Sequence, residues 1–257
     1  MSYNASTELL LVGLFAGMMI ALVIGQRLGR RDRSEDTDST LLRLTAVEAA
    51  IFGLMGLMIA FTFSGAADRY EMRRQLVVDE ANNIGTAYLR LDLLPASKQP
   101  ALREQYRQYV KARLGAYRGS DLDMSNAEMA KVAALQQDMW SGTVAALEAV
   151  DPEFVDFVLS PLNDLIEITT SRTIAALSHT PKLIMAMLLL LSLVCSLLAG
   201  YVIAGIQTRQ VGLHLLAFAF VMTATIFLII DLDYPRDGII RLDFADKALE
   251  DLLVRMK

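Results

Sequence analysis

Charge-free apolar runs divide this chain into a two-plus-two pattern. Leu9 to Gly25 and Ala49 to Ala67 form a close pair, and Leu183 to Ile206 and Val211 to Ile230 form another after a long polar interval. Each run is near the roughly 20 residues that cross a bilayer as a helix. The pattern predicts an all-α membrane protein with four transmembrane helices and a helical extramembrane domain between the pairs. The expected divisions are 1–67 for the first pair, 68–180 for the domain, 181–230 for the second pair and 231–257 for a polar tail.

Within the interval, nothing that stops a helix separates Ala67 from Leu89, so the second membrane helix is expected to leave the bilayer and continue toward Leu91. Pro95 and Pro100 break or restart the chain. Leu102, Tyr106, Val110, Leu114 and Tyr117 then recur at helical spacing. Tyr117 to Asp121 reads as a stop and turn, and a further helix is expected over Asn126 to Val150 with Val132, Leu135, Met139, Gly142, Ala146 and Val150 on one side. Helix resumes from Phe154, with Pro161 as a start or kink, Leu162, Leu165 and Ile166 inward and Asp164 and Glu167 outward. Thr180-Pro181 fits an N-cap followed by a first-turn proline for the third membrane helix. Loops are expected at Ser34 to Thr40 and, as a tight turn, at Gly205 to Val211. The tail reads as a short extended segment, Ile239 to Phe244, then an amphipathic helix from Ala245 to Val254.

Small residues repeat at four-residue spacing on three membrane helices. These are Gly13, Gly17, Ala21 and Gly25 on the first, Gly56, Ala60 and Ser64 on the second, and Ser192, Ser196, Gly200 and Ala204 on the third. Such stripes let helix backbones approach closely, which strengthens dispersion contacts where lipid supplies no hydrophobic drive between helices. On the second helix an adjacent face carries Gly53, Leu57 and Phe61. An apolar face of this kind either packs a core or narrows a pore, where it gates water and ions by dewetting.

Composition narrows the chemistry further. Of 257 residues, 54% are hydrophobic, and 24 Lys and Arg against 29 Asp and Glu leave a net charge of -5, with no concentrated basic face for nucleic acid. The single cysteine, Cys195, lies inside an apolar run and reads as a small hydrophobe. The two histidines, His179 and His214, belong to no metal-binding spacing. No nucleophile elbow, phosphate loop or cofactor motif is present, so neither an enzyme nor a cofactor is expected. Asp231, Asp233 and Asp237 would hold a cation only if a folded turn brought their oxygens together. The first run lacks a basic segment before Glu8 and a cleavage signal after it, so it is expected to stay as a membrane helix.

Ala60-Phe61-Thr62-Phe63-Ser64-Gly65-Ala66-Ala67-Asp68-Arg69-Tyr70-Glu71 resembles the end of the second transmembrane helix in bestrophins, chloride-conducting channels with an Arg followed by aromatics after an apolar helix. With Val78 to Tyr88 and Asp231 to Arg236 included, most of the chain is similar to a bacterial bestrophin-like integral membrane family. The resemblance implies a homo-oligomer, a pentamer by analogy, in the bacterial inner membrane, with lipids and an inorganic ion as partners. It also implies a central pore lined by second helices, with three apolar neck positions four residues apart. Registered on Arg69, those positions are Gly53, Leu57 and Phe61. Gly53 widens or removes one ring, and Tyr70-Glu71 replaces the paired aromatics.

Arg69, Arg73 and Arg74 follow the apolar helix and are candidates for drawing anions toward a vestibule; for Arg69 the alternatives are a structural ion pair or a lipid anchor. Glu80 and Asn83 belong to a dense hydrogen-bonding patch with Asp79, Asn82 and Thr86, which serves either a vestibule or a satisfied interhelical network. Orientation signals oppose one another. Arg27, Arg30, Arg31, Arg33 and Arg43 favour a cytoplasmic first connection. The resemblance instead implies a cytoplasmic middle domain. The leading expectation is an ion channel or permeation protein, selective for anions by analogy; the alternative is a nonconducting membrane scaffold or sensor whose helical domain binds a protein.

Overall fold

A computed structural model of the chain describes residues 3–32, 38–116, 126–204 and 209–256. Its helices are α1 (Tyr3–Asp32), α2 (Asp38–Arg90), α3 (Gln99–Ala116), α4 (Asn126–Leu147), α5 (Pro152–Leu177), α6 (Lys182–Val202), α7 (Arg209–Asp233) and α8 (Asp243–Arg255), with a 3-10 turn at Leu91–Leu93. Four of these are long and apolar enough to cross a membrane. The fold is all-α, with two pairs of apolar helices flanking a helical extramembrane domain. The turn expected at Tyr117 to Asp121 lies outside the described residues, as do 34–37 and 205–208 of the two other expected loops; helix is already present at Asp38 and Arg209.

The chain divides into two compact units: a membrane unit of Met1–Asp68 and Thr180–Asp233, and a helical unit of Arg69–His179 and Tyr234–Lys257. In the membrane unit α1 packs chiefly along α6 and also meets α7. Glycine governs the main crossing. A Cβ on Gly25 would enter the Leu197 carbonyl, one on Gly200 would enter the Leu22 carbonyl, and one on Gly29 would lie 2.6 Å from the Tyr201 carbonyl oxygen. Ser192 and Ser196 are buried, and each returns its hydroxyl proton to its own helix, to Leu188 O at 2.7 Å and Ser192 O at 2.8 Å. The hydroxyls thereby satisfy themselves locally without demanding a partner across the helix interface.

Other small-residue positions do not make the expected close approach within one chain. A Cβ on Gly13 or Gly56 meets nothing within 4 Å, and Ala60 and Ser64 are exposed. Gly17 is intermediate, with Leu193 Cδ2 at 3.2 Å, and Ala21 is half-buried. The difference lies in which face meets α6: the lower turns of α1 close on it, and α2 turns its small face elsewhere.

The start of α6 also departs from expectation. Pro181, not Thr180, occupies the N-cap position, with φ -53° and ψ 132°, and it makes no side-chain cap. The Thr180 backbone N–H donates instead to Asp233 Oδ2 at 2.7 Å. The end of α7 thus holds the chain just ahead of α6. At the start of α5 the local signal operates as sequence chemistry dictates: Asp151 accepts from Glu153 N at 3.2 Å, and Pro152 follows it.

One core fills the helical unit. Val77, Ile84 and Leu91 of α2 and its following turn, Tyr106 and Val110 of α3, Met139 of α4 and Leu162 and Leu165 of α5 all belong to it. So do Ala245, Leu249 and Met256. The polar tail is therefore part of this core, and α8 is its closing helix. Ile239 to Phe244, expected to be extended, contains no strand; turns and bends lead directly into α8 at Asp243.

Candidate functional site

Helix α2 is buried along one side within each unit. In the membrane unit the buried side chains are Glu48, Met55, Thr62 and Ala66, and in the helical unit they are Arg73, Val77, Glu80, Ile84 and Ala87. Steps of seven, four and three residues keep these side chains on one side of an α-helix. Phe52 adds an edge-to-face ring contact with Phe218 of α7, at 6.2 Å between centroids. Thr62 satisfies its hydroxyl on Met58 O at 2.7 Å.

Gly53, Leu57 and Phe61 occupy the opposite side, within roughly 80° of one another around the helix axis. Leu57 is 52% exposed and Phe61 70% exposed, and a Cβ on Gly53 meets nothing within 4 Å. The apolar window of α2 is the least buried of the four candidate spans. An exposed Phe and Leu are ordinary against lipid, but here they alternate with Gly53, Gly56, Ala60 and Ser64. The same face is therefore both apolar and thinly covered by side chains.

In the helical unit the charged residues form a different kind of site. Glu80 is fully buried and receives a two-pronged fork from Arg113, with Nε to Oε1 at 2.5 Å and Nη2 to Oε2 at 3.1 Å. Arg172 donates through Nη1 to the same carboxylate. Burial alone pushes the Glu80 carboxyl upward, but the guanidiniums of Arg172 and Arg113 and their hydrogen bonds outweigh it and hold the group below its ordinary value. Beside this cluster Tyr109 shares a hydrogen bond with Thr169 Oγ1 at 3.0 Å, and Gln136 Nε2 donates to that oxygen at 3.0 Å. Burial, followed by the Glu80 charge, pushes the Tyr109 hydroxyl up to about 12.

Arg73 is also buried, donating from Nε to Ala175 O at 2.9 Å and from Nη2 to Ser178 O at 2.6 Å. It ties α2 to the end of α5. Arg74 is exposed and pairs with Glu71 at 2.7 Å, one turn back on α2. Arg69 is half-buried, and Asn83 donates to Asp164 O at 3.3 Å. The two situations weighed for the Glu80 patch thus separate by residue: Glu80 sits in an interhelical network, while Asp79 stays at the surface with Gln75 at 2.9 Å. Arg113 and Arg172 were not among the candidates read from sequence. Their signal was present: each falls on the buried stripe of its own helix, Arg113 after Leu102, Tyr106 and Val110, and Arg172 after Leu162, Leu165 and Thr169.

Among the described residues no group of three His, Cys, Asp or Glu is placed to hold a metal ion. Asp233 holds the Thr180 N–H, and His179 stacks on Tyr234 with centroids 4.4 Å apart while Nδ1 meets Leu177 O at 3.0 Å.

The apolar helices, the buried stripe and the helical unit define a multi-pass, all-α membrane protein. The chain belongs to the bestrophin-like family, whose Bestrophin-like domain matches residues 9–244. No curated protein sequence matches it. Among solved structures, a bacterial bestrophin homologue from Klebsiella pneumoniae is similar in fold. One single-site variant of it has a TM-score of 0.71 at 13% identity, covering 97% of this chain and 98% of that one. The homologue phased on zinc gives 0.66 at 12% identity, with 96% of both chains covered. A structure described as a membrane protein gives 0.68 at 12% identity over 98% of each chain.

Proposed function

We propose that this chain is a homo-oligomeric ion-permeation protein of the bacterial inner membrane, with Gly53, Leu57 and Phe61 of α2 facing a shared axis and Leu57 and Phe61 forming an apolar constriction. The observation that carries the proposal is the exposure of that face, opposite a stripe that is buried inside the chain. Family membership supports it, and so does the match of register between this face and the neck positions implied by the bestrophin resemblance. An apolar ring narrow enough to expel water blocks ions without carrying any charge. Gly53 would leave one level of that neck open, so Phe61 is expected to set the narrowest point.

Anion preference is the finer part of the proposal. Arg69 and Arg74 follow the apolar segment and would raise the local concentration of anions over cations. Pentameric assembly is carried over from the resemblance alone. Purified full-length protein in chloride-loaded vesicles is expected to release chloride, and Phe61→Ala to raise the release about tenfold, equivalent to lowering the barrier by about 1.4 kcal/mol. An assembled oligomer that releases no ion, in wild type or variant, would sink the proposal and favour a nonconducting scaffold or sensor.

A further inference from the structure

Within the helical unit, α2 is flanked by two faces of unlike charge. Arg73, Asn83 and Arg90 donate to the Ala175, Asp164 and Phe157 carbonyls of α5. On another side Tyr70 donates to Arg241 O ahead of α8, and a Cβ on Gly85 would lie 3.4 Å from Leu252 of α8. The two sets of α2 residues lie roughly 150° apart around the helix axis, so α5 and α8 stand on opposite sides of it. The same contacts set the levels. Helix α5 runs antiparallel to α2 and α8 parallel to it, which puts Glu167 of α5 and Lys247 of α8 both level with Glu80.

On the α8 side an open groove of about 510 Å³ sets Arg74, Lys247 and Arg255 around a floor of Val78, Ala245 and Ala248, with Asp251 as the acid on its described walls. Its cations keep donors to offer. Arg74 pairs with Glu71 through Nη2, Arg255 uses Nε on the Asp251 carbonyl, and Lys247 has no partner among the described residues. On the α5 side the exposed charge is all acidic. Glu153, Asp156, Asp164 and Glu167 are exposed, whereas the helix's one basic residue, Arg172, is buried against Glu80. None of the four carboxylates is in an ion pair among the described residues; Glu167 accepts only from Asn163, at 2.7 Å. Ile174, seven residues on along the same side as Glu167, is 64% exposed. Basic groove and acidic ridge match in charge and level, yet they lie on opposite flanks of one chain, so they meet only between two copies. We propose that the α2–α8 groove of one copy receives the α5 ridge of the next, with Lys247 against Glu167 and Arg255 beside Asp164. The proposal rests on the reading that copies of this chain share an axis lined by α2. Neighbours then meet at the flanks of α2, and a head-to-tail contact repeated around the axis closes into a ring.

A disulfide trap on the full-length protein tests the pairing. With the buried Cys195 changed to Ala, Glu167→Cys and Lys247→Cys in one chain are expected to give, on oxidation, a ladder of linked chains in a denaturing gel. Either cysteine alone should give no ladder, and the two within one chain, on opposite sides of α2, cannot join. Charge reversal is the second measurement. Lys247→Glu and Glu167→Lys should each raise the protein concentration at which the oligomer half-dissociates by at least about tenfold, and the chain carrying both should return close to wild type. An oligomer of native mass that gives no ladder overturns the proposal and leaves the groove to lipid or another protein. Folded single reversals that assemble as tightly as the wild type also overturn it. Ion release is read separately. A ring that cross-links but releases no ion keeps this interface and removes the permeation reading, and ion release from an oligomer without the ladder does the reverse.

Discussion

At the scale of single residues, Glu80 is a fully buried charge on which two arginines of the helical unit converge. Its two arginine partners are buried with it, Arg113 completely and Arg172 nearly so. Replacing a buried ion-pair partner leaves its counterpart charged and poorly solvated, at a cost of about 3–5 kcal/mol. Glu80→Gln keeps the shape and strands two guanidiniums, so it is expected to lower the stability of the helical unit by about that amount. The pH dependence follows from the same contacts. A carboxyl held below its ordinary value in the folded state stabilises the fold above its unfolded pKa, near 4.3. That stability is lost as pH falls through the lower, folded value. Acid titration should therefore soften the wild type below about pH 4, with a shallower slope in Glu80→Gln. The chain's lone tryptophan, Trp140, packs against the core of the helical unit, so its fluorescence reads both effects there. A variant as stable as the wild type, with the same acid slope, would remove Glu80 from this role.

At the scale of elements, α1 and α6 meet through backbone rather than side chains, which gives neighbouring glycines opposite tolerances. Gly200→Ala puts a methyl group into the Leu22 carbonyl, and Gly25→Ala puts one into the Leu197 carbonyl. Neither backbone can yield without parting the helices, so each change is expected to cost at least the roughly 1–3 kcal/mol of overpacking. Gly13→Ala places its methyl group in open space and should be tolerated or slightly stabilising, because alanine is the better helix former. Unfolding in a denaturing detergent should rank Gly13→Ala beside the wild type and the other two well below it; equal loss at all three positions would refute the backbone contact. The stripe of small residues was readable in the sequence, but which of its members touch a neighbour was not. Four-residue spacing defines a face, whereas the partner's height along that face depends on a crossing between residues some 175 positions apart in the chain, Gly25 and Gly200. The unbroken run of α2 past Ala67 was legible because no strong helix breaker interrupts it. The bond that holds Thr180 ahead of α6 was not, since Asp233 lies at the far end of another helix. The pairing of Glu80 was half legible: a charge recurring on an apolar stripe must be satisfied, but periodicity does not say by which arginine.

At the scale of the whole molecule, the helical unit is closed by residues that the chain supplies only after its last membrane helix. Leu249 of α8 is 1% exposed, in a core shared with residues of α2, α3, α4 and α5. A tail that merely decorated the surface would tolerate truncation of that leucine. A core leucine does not: Leu249→Ala removes buried hydrocarbon and leaves a cavity, typically at about 2–5 kcal/mol. The consequence should be local to the unit, because α1, α6 and α7 bury their own residues, Met18, Leu22, Leu188 and Ile226 among them. Hydrogen exchange on the full-length variant is therefore expected to speed up in α3, α4, α5 and the part of α2 from Arg69 onward, where opening exposes a weakened core. Exchange in α1 and α6 should stay at wild-type rates. Acceleration confined to α8 itself would mean that the helix frays without supporting the core. Equal acceleration in α1 and α6 would mean that both units unfold as one, and that a single cooperative transition governs the chain.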